Sequence, residues 1–196
     1  MFSFRFSRWI IISSAIPTFL AAQKIAGKPT LEPPASKERH ALDMLLTTIE
    51  EAVVPAAEAM PADKYGFAPR DGEFAGVRTF SRQVKHLAAT NHMLAAAALG
   101  QAAPADAGDE AGPDAIVSKP DIMSYLKSSF AALHQAVAAI DNGSVGVKSS
   151  PISPLQGETA TRSALIVEAM VHSGDHYGQM VEYLRMNGIV PPASRR

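Results

Sequence analysis

Six histidines carry most of the chemistry that this 196-residue sequence can offer, because it contains no cysteine. A disulfide framework, a cysteine zinc site and a thiol nucleophile are therefore excluded, and a bound metal must use imidazole, carboxylate or water. In Met170-Val171-His172-Ser173-Gly174-Asp175-His176-Tyr177, two of the histidines stand four residues apart. On a helix that spacing stacks both imidazoles on one face, a turn apart and within reach of a single ion. At 100° per residue the face centred on His172 also holds Leu165, Glu168, His176, Gln179 and Tyr183, a polar strip flanked by aliphatics. Polar groups on an inward stripe need partners, and either a metal or ordinary hydrogen bonds at the edge of a core can supply them.

A pair at this spacing needs a third ligand. His86 and His92 lie six residues apart, about 120° apart on a helix, so only one of them can face inward. His92 shares its side with Arg82 and Lys85 and reads as a solvated surface residue, whereas His86 sits at the margin of an apolar face near Thr90 and Met93 and is the better candidate. His134 stands beside Leu133 with no useful polar companion at helical spacing, and His40 opens the first helix; neither reads as a ligand. Three histidines with a fourth position left to water form an open site, unlike the closed four-ligand site of a structural zinc. A metal held this way lowers the pKa of bound water or ligates an anionic atom such as a thiolate. Glu168, one turn before His172, and Asp175, three residues after it, could orient imidazoles or accept protons; the competing reading makes them plain surface carboxylates. Unperturbed imidazoles predict metal loss below about pH 6.

Four helical segments must position these residues. The first is expected over about 36–60, with Leu42, Leu45, Leu46, Ile49 and Val53 on one stripe and Pro55 bending its last turns. The second follows a long loop, starts after Thr79 as its N-cap and ends at Gly100, burying Phe80, Val84, Leu87, Leu94 and Ala98. The third opens with Ser118-Lys119-Pro120-Asp121 and runs to about Asp141, with a seam of Met123, Leu126, Phe130, Leu133, Val137 and Ile140. The fourth is expected over about 158–187, closed by Gly188 and apolar Ile189 in a Schellman-type ending. No segment alternates with period two, so the expected fold class is all-α, a four-helix bundle.

Ahead of the bundle, Arg5 and Arg8 precede an almost uncharged stretch, Trp9 to Ala22, ending in Leu20-Ala21-Ala22. That layout predicts a secretory signal peptide over 1–22, cleaved after Ala22 with Ala26 as a fallback, because the apolar run is shorter than the roughly 20 residues of a membrane-spanning helix. The proline-rich residues 23–35 read as a linker and 36–192 as the domain. The expected location is exported, periplasmic or secreted, with no stable membrane span after cleavage. A net charge of −1 and no basic run beyond Arg195 and Arg196 argue against nucleic acid as a partner. A small-molecule substrate is the expected partner; a homodimer is the base-rate expectation for a soluble bundle.

Three stretches together resemble the DinB-like superfamily of metal-dependent bundles, also called the YfiT-like family. They are Met60-Pro61-Ala62-Asp63-Lys64-Tyr65, Arg78-Thr79-Phe80 leading into Val84-Lys85-His86-Leu87-Ala88, and His172-Ser173-Gly174-Asp175-His176-Tyr177-Gly178-Gln179. The tail from Tyr183 to Pro192 is similar to that of exported members. The resemblance covers about 36–192 and implies up-down-down-up connectivity, with one divalent ion, zinc or nickel, on His86, His172 and His176. It also implies an activity among thiol-dependent transferases and isomerases, although an exported chain would lack the cytosolic thiol pool. The resulting expectation is a metal-dependent hydrolase or thiol-type transferase. The alternatives are a non-catalytic metal-binding bundle with a structural or sensing role, and an interaction module whose histidines are incidental.

Overall fold

The computed structural model describes residues 34–73, 75–107, 110–141, 150–155 and 160–195. The expected signal peptide and nearly all of the expected linker lie outside these residues. Helices span Pro34–Ala59 (α1), Phe80–Ala98 (α2), Lys119–Ala138 (α3) and Arg162–Met186 (α4), with 3-10 turns at Ala62–Lys64, Ala105–Ala107 and Pro192–Ser194. No strand occurs among the described residues. No helix among them is long and apolar enough to cross a membrane.

Local chemistry fixes most helix ends where the sequence places them. The Thr79, Ser118 and Thr161 side chains accept from the backbone N–H groups of Arg82, Asp121 and Ala164, each satisfying a donor that the first turn leaves unpaired. At the end of α4, Gly188 takes φ +71°, and the Gly188 and Ile189 N–H groups donate to Arg185 and Leu184 carbonyls at 2.9 Å, the two bonds of a Schellman motif. Three boundaries differ from expectation, one being the end of α3, which stops at Ala138 rather than about Asp141. α1 begins at Pro34, whose fixed φ suits a first turn. α4 begins at Arg162 rather than near 158, because Thr161 is extended and caps from there.

Cross-helix contacts define the connectivity. Ser163 bonds Glu38 and Gly174 approaches Ile49, so α1 and α4 run parallel. Asn91 meets Ser129, and the Arg162 guanidinium donates to the carbonyls of Ala98 at 3.0 Å and Ala139 at 3.1 Å, so α2 and α3 also run parallel and end together. Lys119 reaches Glu58 while His134 reaches Glu50, and Gln83 lies by Gln179 while Asn91 lies by Ser173; the two parallel pairs are therefore antiparallel to each other. This is the up-down-down-up bundle.

The core holds Leu46, Phe80, Leu94, Leu126, Phe130 and Leu165 among its fully buried side chains. α2 is the inner helix, buried along nearly its whole length. Leu45 corrects the expected α1 stripe: it is 58% exposed, because it sits about 60° from the Leu42, Leu46, Ile49 and Val53 direction and rolls off the buried face. Pro55 lies within α1, which continues to Ala59.

Candidate metal centre

α2 and α4 cross with His86 facing His172 and His176. His86 Nε2 lies 3.2 Å from His172 Nε2, which lies 2.9 Å from His176 Nε2. The three imidazoles meet edge to face, with ring centroids 4.3 to 5.0 Å apart. Ligands about 2.0 to 2.1 Å from a tetrahedral ion stand about 3.3 Å from one another, so the three nitrogens sit near the spacing of one coordination sphere. His86 and His176 are buried and His172 half-buried. The group could hold a metal ion.

Burial and mutual repulsion keep the cluster neutral, the form that ligates. Burial, followed by the neighbouring His176 and His86 and then Arg78, pushes His172 down to about 3. Burial, His86 and Arg78 bring His176 to about 4 despite the opposing Asp175 carboxylate. Burial also lowers His86, partly offset by its bond to the Glu110 carbonyl. Folding thus extends the ligating form below the pH 6 expected of unperturbed imidazoles.

The far ring nitrogens are held unequally. His86 Nδ1–H donates to the Glu110 backbone carbonyl at 2.8 Å, which leaves Nε2 as the inward lone pair. The Gln83 amide lies against His176 Nδ1 and donates to Gln179 Oε1 at 2.6 Å; the Gln179 amide donates in turn to Asp175 at 2.9 Å. His172 Nδ1 is buried and has no hydrogen-bond partner among the described residues. Such an atom costs roughly 1 to 3 kcal/mol. One layer along the bundle, Asn91 bonds Ser129 at 3.4 Å and accepts from Ser173 at 3.2 Å, locking α2, α3 and α4 in register beside the cluster.

The three expected ligands are the three that converge. Neither expected supporting carboxylate hydrogen-bonds an imidazole: Glu168 accepts from Ser153, and Asp175 acts on His176 through Gln179 and by its charge. His92 is half-buried beside α3, where it bonds Ser128 at 3.1 Å and packs on the Tyr125 ring, rather than being fully solvated. His134 does have polar partners, but they lie on α1: Asp43 at 2.7 Å and Glu50 at 3.0 Å. Gln83 and Glu110 were not expected. Gln83 is legible in hindsight as an i, i+3 companion of His86 on a buried face. Glu110 lies in an irregular connection that no periodicity marks.

An all-helical bundle with three histidines of two antiparallel helices turned onto one point defines the class of protein. The DinB superfamily model matches residues 45–180, and the chain belongs to that superfamily. No curated protein matches the chain.

Proposed function

We propose that this protein is an exported metal-dependent enzyme of the hydrolase or group-transfer type, with one divalent ion, zinc or nickel, on His86, His172 and His176. The convergence of the three Nε2 atoms carries the reading. A core containing Phe80, Phe130, Leu94 and Leu126 has no need of a structural metal at this chain length, which favours use of the ion over support by it. Three protein ligands leave a coordination position to water or substrate. The ion, when bound, supplies Lewis acidity at that position.

The chain's own groups prepare the position. Glu110 and Gln83 hold His86 and His176, burial keeps the imidazoles unprotonated, and Arg78 is the cation whose charge acts on all three. Export, supported by the Arg5, Arg8 and Trp9–Ala22 pattern, removes access to cytosolic thiols and favours hydrolysis over thiol transfer. The test is metal analysis of protein purified after growth with zinc and nickel, followed by turnover of ester, amide and thiol-adduct panels. One equivalent of metal in the wild type and little in His172→Ala supports the site. Metal-free wild type sinks it, and stoichiometric metal without turnover returns the protein to a non-catalytic role.

A further inference from the structure

Glu110 has φ +71°, the one positive φ outside glycine among the described residues. A non-glycine residue in this region is strained, because its Cβ crowds the backbone, and persists only where its surroundings over-determine it. Two contacts do so. The Glu110 carbonyl accepts from His86 Nδ1–H, and two residues later Gly112 is pressed onto α2 beside His86. Gly112 has φ +74°, and a Cβ there would lie 3.2 Å from the Lys85 carbonyl, 3.3 Å from the Tyr125 ring and 3.4 Å from Lys85 Cβ. The Gly112 N–H also donates to the Ala107 carbonyl at 3.3 Å. The Glu110 carboxylate is 3.7 Å from the same ring nitrogen and its side chain is partly exposed, so the carbonyl is the closer and better-buried partner.

We propose that Glu110 is a positioning residue for His86: its backbone carbonyl, turned inward by a left-handed conformation that Gly112 anchors, holds the imidazole as the Nδ1–H tautomer with Nε2 aimed at His172. The tautomer claim stands on the contact itself; its consequence for metal rests on the site reading above. Side chain and backbone separate cleanly here, because glycine keeps the left-handed turn and removes only the carboxylate.

The experiment is long-range ¹H–¹⁵N correlation of the histidine rings in metal-free full chain at neutral pH, paired with zinc affinity by chelator competition. Wild type is expected to show His86 as the Nδ1–H tautomer. Glu110→Gly is expected to keep that tautomer and zinc affinity within about twofold, whereas Gly112→Ala is expected to mix the tautomers and weaken zinc about 10-fold. Glu110→Pro, whose ring bars positive φ, gives the same reading without adding bulk against α2, should Gly112→Ala fail to fold. An Nε2–H tautomer in wild type, or a loss in Glu110→Gly matching that of the backbone variants, overturns the proposal. Wild type with the Nδ1–H tautomer but no zinc or nickel binding upholds it and rejects the metal site instead.

Discussion

His172 and His134 are both helix-borne imidazoles joining one helix to another, yet their neighbours drive them in opposite directions. His172 faces two other imidazoles in a largely buried cluster, and burial and repulsion strip its proton. Burial also pushes His134 down, but the hydrogen bonds and charges of Asp43 and Glu50 outweigh it, and the net shift is upward. Two carboxylates against both ring nitrogens of His134 favour the imidazolium, whereas three Nε2 atoms crowded together cannot all carry protons and favour neutral rings. A histidine's role is therefore set by the charge of the residues across the interface, and the same side chain becomes a ligand in one place and a clamp in the other.

The comparison breaks most visibly at metal affinity. His172→Ala is expected to weaken zinc binding by more than about 100-fold, beyond the 10- to 100-fold typical of losing a ligand's supporting partner. His134→Ala is expected to leave it within about twofold. Chelator competition decides, and equal losses would erase the distinction. A step smaller, Gln83→Leu removes the group held against His176 Nδ1 and is expected to weaken zinc about 10-fold while the far-ultraviolet spectrum stays unchanged.

The smallest effects sharpen the contrast through pH. The cluster's folded pKa values are depressed, so the unfolded chain binds more protons below its ordinary value of 6.5, and metal-free stability falls as pH drops from there toward about 4. His134 is raised, so its contribution is full below 6.5 and is lost as pH rises through its folded value. His134→Gln is expected to cost about 1 kcal/mol near pH 5 and almost nothing near pH 9, read as urea midpoints; a pH-independent cost would mean that its charge is irrelevant. Zinc retention below pH 6, measured on the holoprotein, checks the depressed values of the cluster.

Much of this was legible locally. The i, i+4 spacing of His172 and His176, the angular choice of His86 over His92, and the caps at Thr79 and Ser118 involve residues within two helical turns, where chain geometry is fixed. Leu45 escaped because a stripe about 60° too wide still reads as apolar, and α4 began later than expected because Thr161 turned out to be its cap. His134 escaped because Asp43 and Glu50 lie 91 and 84 positions away on another helix.

The sequence by itself determined four amphipathic helices, the approximate apolar face of each, and that His86 of α2 and the two histidines of α4 project from inward or marginal positions. Only the tertiary structure decided that the three Nε2 atoms meet, that Glu110 in an irregular connection and Gln83 across the bundle hold two of the rings, and that His134 bridges two carboxylates of α1. The physical reason is reach. Backbone hydrogen bonding constrains a residue relative to neighbours about four positions away, whereas the register of antiparallel helices, and hence every contact across them, is set by how the whole core packs.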